Sequence, residues 1–249
     1  MYIEHLVPKY LAVFSSPKCF ITRLRYPKLV SFGLMANLNL LRKKNVFDEV
    51  DAIVDVGANI GQFAFMAHSI MPNLPIYSFE PDPACFEKLK QTFASHQIDG
   101  ECFSIALAEN QGVVNLNVYE SSANNSILFR ENESALEIKE VDCSTLDVFD
   151  KQLNALKCLY LKVDVQGAEL SVLRGASQFL KKCKFVQLEV SLVNAYSGNA
   201  HIADVMDFMR HAGFSCWEVL DVLRRRNSDN LGILEMDILF VKNKAINED

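Results

Sequence analysis

The residues best suited to chemistry fall into two groups. The first is Asp55, Gly57, Asn59 and Gly61 in DAIVDVGANIGQFAFMAH (residues 51–68), followed by Glu80 in IYSFEPDP. The second is Lys162 and Asp164 in LKVDVQGAEL, with Glu189 in VQLEVS. In the first group an apolar run, a glycine turn and an amphipathic run follow one another, the pattern of a strand–turn–helix corner that holds a nucleotide-like ligand. A dinucleotide fingerprint needs G-x-G-x-x-G, and here Asn59 and Gln62 take its second and third glycine positions. A phosphate loop needs G-x-x-x-x-G-K-[ST], and Gln62 and Phe63 stand where its glycine and lysine belong.

Charge separates the remaining options. Two like charges ~4 Å apart at a surface-like dielectric repel by roughly 4 kcal/mol, so a pyrophosphate beside Asp55 is disfavoured. A ligand with an amino group and a sulfonium is favoured, and S-adenosylmethionine is such a ligand. Gly57 and Gly61 carry no Cβ and so permit close approach. Glu80 lies about 20 residues beyond Gly57, at the end of the next strand, where a carboxylate can accept both ribose hydroxyls. A surface Glu before a proline turn is the plainer alternative.

A ligand of that kind is a methyl donor, and the second group then reads as the acceptor side of a methyl transfer. In-line displacement needs an acceptor oxygen behind the methyl group and a base for its proton. Ligands over parallel sheets bind beyond the carboxyl ends of the strands. Asp164 ends the predicted fourth strand, Glu189 nears the end of the fifth, and Lys162 shares a strand face with Asp164. Asp164 is therefore predicted to be the acceptor-side base or anchor, supported by Glu189 and Lys162. The structural alternative is a buried Lys162–Glu189 pair, since lone buried charges are costly. Glu169, in the first turn of the next helix, reads as a cap. Asn124, Asn125 and Ser126 in the polar loop ESSANNSILFRENES, with Asn194 and Tyr196 after the fifth strand, are candidate contacts to sugar hydroxyls. Turn formation is the alternative for the Asn and Ser residues. Asp164, Glu169 and Glu189 offer the hard oxygens a divalent metal takes, but no spacing requires a metal and the five histidines do not cluster.

These residues need elements to hold them. Apolar runs at 52–56, 75–80, 100–106, 158–164, 184–190, 214–220 and 235–242 predict strands. They alternate with helical runs, among them 83–95, opened by Pro83, and 201–212, closed by Gly213. Alternation at 113–119 and 135–143, with Leu136 and Ile138 pointing one way, predicts an antiparallel insertion over 113–143 whose loop reaches over a ligand. The last two strands are joined without a helix and so are antiparallel. The fold class is therefore α/β: a Rossmann-like seven-stranded sheet with six parallel strands and one antiparallel strand near the C-terminus, helices on both faces, the β insertion and an N-terminal helical segment. Residues 1–46 form that segment, broken by Pro8, Pro17 and Pro27, and residues 47–249 form the main domain.

Half of the 249 residues are hydrophobic, enough for a sizeable core. The seven scattered cysteines show no metal or disulfide spacing and point to reduced thiols in the cytoplasm. No stretch has the ~20 apolar residues of a membrane span, and Pro8, Lys9 and Pro17 interrupt any signal-like run. Within an overall charge of −6, residues 1–44 hold Lys9, Lys18, Arg23, Arg25, Lys28, Arg42, Lys43 and Lys44 against Glu4 alone. A basic arm on an acidic body reads either as a solvated cap or as a peripheral contact with an anionic membrane or substrate. The acidic body argues against double-stranded nucleic acid. Nothing in the sequence fixes an oligomeric state.

Taken in order, VDVGANIGQFA, FEPDPACFEKLK, ECFSIALAENQG, DCSTLDVF, LKVDVQGAELSVLRGA and VQLEVS resemble the FkbM-type family of class I methyltransferases over about residues 50–191. The resemblance implies methyl transfer from S-adenosylmethionine to a hydroxyl. It assigns Asp55, Gly57, Asn59 and Gly61 to the methionine part, Glu80 to the ribose, and Ile105 and Ala106 to the adenine. Gln166 departs from the acidic residue common in that family. A sugar or glycan is the favoured acceptor. A polyketide, lipid or other small molecule is the alternative within that chemistry, and a non-catalytic binding module is the alternative outside it.

Overall fold

The computed structural model describes residues 22–153, 155–224 and 232–243. Lys9, Lys18, Pro8 and Pro17 of the basic arm lie outside the described residues. The strands are β1 Ala52–Val56, β2 Ile76–Phe79, β3 Gly100–Phe103, β4 Ala106–Leu107, β5 Gly112–Val118, β6 Glu137–Ser144, β7 Leu159–Val163, β8 Cys183–Ser191, β9 Phe214–Arg224 and β10 Ile233–Lys242. The α-helices are α1 Phe32–Lys43, α2 Gln62–Ile70, α3 Pro83–His96, α4 Leu146–Phe149, α5 Glu169–Arg174 and α6 Ile202–His211. Seven strands form one sheet in the order β3-β2-β1-β7-β8-β10-β9. The first five are mutually parallel, and β10 runs antiparallel to both β8 and β9. This is the predicted arrangement of six parallel strands and one antiparallel strand.

All five residues of β1 (AIVDV) and of β7 (LYLKV) are buried, as strands covered on both faces must be. Ala52, Val54, Val56, Leu161 and Val163 pack on the face covered by α5 and α6, with Val172, Val205 and Met209. Ile53 and Tyr160 pack on the opposite face with Met35, Leu38 and Leu41 of α1 and Phe63 and Met66 of α2. Period-two alternation places Asp55, Lys162, Gln187 and Glu189 on this second face. The register makes Asp55 and Lys162 direct partners, Lys162 and Gln187 the next pair, and Glu189 and Asp237 another. A polar patch thus interrupts an apolar layer toward the carboxyl ends of the strands.

The described part of the N-terminal segment packs as a cap on the sheet. Val30, Met35, Leu38, Leu41 and Val46 are buried in the same core as Ile53 and Phe63, so the described part of the basic segment is integral to the domain. Ser31 caps α1, accepting from the Leu34 N–H at 3.4 Å. Outward, Lys44 pairs with Glu218 and lies 5.1 Å from the Trp217 ring centroid.

Two differences from expectation concern the insertion. The run 100–106 is not one strand: β3 stops at Phe103, and Ala106–Leu107 pairs with β6 in a separate three-stranded sheet, β4-β6-β5. An apolar run records burial but not which sheet supplies it. In β6 the buried positions are Val141, Cys143 and Ser144, while Ile138 and, just before the strand, Leu136 are exposed. The helix punctuation follows prediction. Pro83 opens α3 with Asp82 as its cap, and Gly213, with φ +82°, follows α6.

Candidate active site

At the end of β1 the chain turns through Gly57 (φ +81°), Asn59 (φ +49°) and Gly61 (φ +87°). The turn is fixed by backbone: the Gly57 and Ala58 N–H groups both donate to Phe79 O at 3.0 Å. A Cβ on Gly57 would lie 1.8 Å from Asp164 O, so glycine is required where this turn meets the end of β7. Gly61 has a different neighbour. Its missing Cβ faces Leu89 and Thr92 of α3 at 3.0–3.3 Å, which makes it a helix-packing glycine.

Glu80 is held entirely by main chain. Its Oε2 accepts from Asn59 N–H at 2.7 Å and its Oε1 from Asp82 N–H at 2.8 Å. Burial pushes its carboxyl up to about 7 against those two bonds. Each oxygen retains a lone pair for a further donor.

A cavity of about 220 Å³ lies over these ends. Of the predicted residues, Gly57, Asn59, Glu80, Ile105, Ala106, Asn125, Ser126, Lys162, Asp164 and Glu189 line it. Asp55, Gly61, Asn124, Asn194 and Tyr196 do not appear in its wall. Asp55 lies beneath it, fully buried, with Lys162 Nζ at 3.5 Å and no hydrogen bond to either carboxylate oxygen. Burial pushes this carboxyl up and the Lys162 charge opposes it. Asp55, expected to contact the cofactor, lies beside Lys162 and supports its charge from beneath the cavity. Asn194 is exposed and away from the cavity.

The insertion loop forms the roof, and several of its side chains and main-chain groups are hydrogen-bonded. Ser122 Oγ donates to Asn59 Oδ1 at 3.1 Å, and Asn125 Oδ1 accepts from Tyr119 N–H at 3.0 Å. Ser126 Oγ donates to Gln166 O at 2.8 Å. Tyr196 Oη bonds Asn124 O at 3.1 Å and Gln166 Oε1 at 2.9 Å. These bonds hold the enclosure together, with Asn125 and Ser126 in the cavity wall.

On the far wall, Lys162 Nζ is 3.0 Å from Asp164 Oδ2 and 5.4 Å from the Phe63 ring centroid. Burial works to neutralise Lys162, but the Asp164 and Asp55 charges outweigh it and hold the ammonium above the usual lysine range. The foreseen Lys162–Glu189 pair is absent among the described ion pairs, because Asp55 and Asp164 flank the lysine more closely. Gln166 Nε2 instead donates to Asp164 Oδ1 at 3.0 Å and to Glu189 Oε2. Burial opposes the Asp164 carboxylate, yet Lys162 and Gln166 hold it below the ordinary range. Burial and then the Asp164 charge push Glu189 well above its own. The two carboxyls are therefore pushed apart, Asp164 toward the ionised form and Glu189 toward the protonated one. Glu169 accepts from the Val165 and Gly167 N–H groups, both at 3.1 Å, which orders the turn after β7 as a cap would.

Sequence reasoning missed two residues of this site. Gln166, with φ +56° followed by Gly167 at +97°, was legible only as a departure from a pattern. Ser122, which joins the roof to the glycine turn, had no signal beyond its place in a polar loop. Among the described residues no three His, Cys, Asp or Glu side chains converge on a metal-sized point.

The walls suit S-adenosylmethionine. Glu80 offers acceptor lone pairs, Phe79, Ile105, Ala106 and Leu107 give an apolar slot, and the cation that lines the cavity, Lys162, is paired with Asp55 and Asp164. Sheet order, glycine turn and acidic second strand define a methyltransferase-type Rossmann-like domain. The methyltransferase FkbM domain matches residues 55–216, and the chain belongs to that family.

"Methyltransferase 1" of Beauveria bassiana is 31% identical over 148 residues, covering 52% of this chain and 59% of that protein. The "31-O-demethyl-FK506 methyltransferase FkbM" of Streptomyces tacrolimicus is 35% identical over 69 residues, covering 28% and 26% of the two chains. The "Hexuronic acid methyltransferase AglP" of Haloferax volcanii is 28% identical over 145 residues, covering 57% of each. The match to each of these three spans less than two thirds of its length. A solved structure from Listeria monocytogenes, of an uncharacterized protein, shares the fold with a TM-score of 0.50 at 11% identity, covering 86% of this chain and 69% of that one.

Proposed function

We propose that this domain transfers a methyl group from S-adenosylmethionine to a hydroxyl oxygen, with a sugar or glycan as the acceptor. One observation carries the reading: a main-chain-held carboxylate, Glu80, and a lysine-held carboxylate, Asp164, face one enclosed cavity. When bound, the sulfonium cofactor supplies an electrophilic methyl group.

Glu80 accepts hydrogen bonds from the ribose, and the slot of Phe79, Ile105 and Leu107 takes the adenine. The insertion loop excludes water from above. Asp164 takes the acceptor proton at a carboxylate oxygen, and Lys162 stabilises its charged form beforehand. Glu189, protonated, can donate to a second acceptor oxygen. A wall of carboxyl and amide groups matches a polyhydroxylated acceptor, and a relative named for a hexuronic acid supports that class.

Calorimetry with S-adenosylhomocysteine tests the cofactor half. The wild type binds, and Glu80→Ala loses about 10–100-fold in affinity, the value of one or two charged hydrogen bonds. No binding by the wild type would reject the reading. Mass spectrometry of glycans from cells with and without the protein tests the acceptor half, a methyl mass lost from a sugar being the expected result.

The basic segment is proposed to contact anionic lipid. Because α1 belongs to the core, the test replaces Arg25 and Lys28 by Gln rather than deleting the segment. Unchanged sedimentation with phosphatidylglycerol vesicles would reject it.

A further inference from the structure

Gln166 occupies an unusual position. It ends the run from β7 in a left-handed backbone conformation and is half-buried in the cavity wall. Its amide nitrogen has two hydrogens, and each meets a different carboxyl group: Asp164 Oδ1 on β7's end and Glu189 Oε2 on β8. Its amide oxygen meets Tyr196 Oη at 2.9 Å. A carboxamide has two donors and two lone pairs on distinct ends. The two carboxyls take the NH2 end, and the carbonyl end is left to the Tyr196 hydroxyl, whose one hydrogen it shares with Asn124 O.

Tyr196 is itself tied to the roof. It is 2% exposed, and its hydroxyl has a second acceptor, Asn124 O, at 3.1 Å in the insertion loop. The missing Cβ of Gly167 faces the Tyr196 Cβ and Cδ2 at 3.2 Å, so the ring packs directly on the turn that carries Gln166. Ser126 Oγ closes the same joint by donating to Gln166 O. The roof and the acceptor wall meet at one amide.

We propose that Gln166 is a positioning residue of the acceptor side: its amide, aimed by Tyr196, ties Asp164 to Glu189 and leaves Asp164 as the carboxyl that takes the acceptor's proton. This rests on the methyltransferase reading above. A leucine-like side chain at position 166 would leave the two neighbouring carboxyls bonded only to each other and, for Asp164, to Lys162. The groups around Asp164 are Lys162 on its own strand, Asp55 on β1, Glu189 on β8, Glu235 and Asp237 on β10, and Glu169 on α5. Lys162 is the sole cation among these six and favours ionisation of Asp164 whatever stands at 166. What Gln166 adds is a donor to the ionised Asp164 that also reaches Glu189, and that part is separable by experiment.

The test is a carboxyl ¹³C NMR titration of the full chain, with the two signals assigned through Asp164→Asn and Glu189→Gln. In the wild type Asp164 titrates below the ordinary carboxylate range and Glu189 above it. Gln166→Ala raises the Asp164 midpoint by about one pH unit, because its ionised form loses a donor. Tyr196→Phe, which removes one oxygen and keeps the ring packed, moves it the same way by less. Gln166→Asn keeps an amide one methylene short and falls between wild type and alanine. Thermal melting identifies any variant that fails to fold, and Tyr196→Phe then carries the test alone. Folded variants with unchanged midpoints overturn the proposal. S-adenosylhomocysteine affinity, measured on the same samples, separates the two readings. Unchanged midpoints with retained affinity reject only the role of Gln166, whereas a wild type with no affinity rejects the methyltransferase reading and this role with it.

Discussion

The two walls of the cavity hold their carboxylates by different means. Glu80 hangs on two backbone N–H groups from the turn and the α3 cap, both within a stretch of about 20 residues. Asp164 hangs on side chains: Lys162, whose charge is anchored by Asp55 on another strand, and Gln166, aimed by a tyrosine beyond β8. A backbone-held group depends on local turn geometry and tolerates changes in its surroundings. A side-chain-held group depends on several distant residues at once. The cofactor wall is thus the conservative half of the site and the acceptor wall the adjustable one.

The largest effect expected from breaking this contrast is on Asp164 itself. Asp164→Asn should lower methyl transfer by ~10²–10⁴-fold, the usual contribution of a general base, with S-adenosylhomocysteine affinity intact. Glycan methylation in cells carrying the variant reads the transfer directly, and wild-type methylation would remove Asp164 as the base. Next is Lys162→Met. It leaves the Asp55 carboxylate buried with no counter-charge, a change that typically costs about 3–5 kcal/mol and so lowers the denaturant midpoint sharply. Asp55→Asn combined with Lys162→Met should recover much of that loss, and no recovery would show that the lysine is held by something else.

The smallest effect sharpens the comparison through pH. Burial lifts Glu80 and Glu169 to about 7 and Asp237 to about 6, all above their unfolded values. Between about pH 4 and 7 the folded chain therefore binds more protons than the unfolded one, and stability falls as pH rises through that window. Thermal melts of the ligand-free protein should show a lower midpoint at pH 8 than at pH 5, and Glu169→Gln should flatten the slope. A midpoint that climbs across this range would contradict the burial assigned to these groups.

The same contrast explains what could be read in the chain. β1, β7 and the order of Asp55, Gly57 and Glu80 follow from apolar runs and short spacing, which are properties of neighbouring residues. The insertion was visible from alternation at 113–119, but its face was not: Leu136 and Ile138 are apolar and yet exposed, because Val141 and Cys143 are the residues that meet β5 and β4. The register that makes Asp55 a partner of Lys162, more than a hundred residues later, is a property of the assembled sheet. Tyr196 was legible as a polar residue near the site, but its task depends on Asn124 and Gln166, which only folding brings to it.

The position of β10 between β8 and β9 has a practical consequence. The stretch that matches the family ends at residue 216, before β10 begins, and starts at residue 55, after α1. A fragment trimmed to those limits would lack an interior plank of its sheet and the lid over one side of it. Whoever dissects this domain should keep both flanks, since the homologous stretch is shorter than the unit that folds.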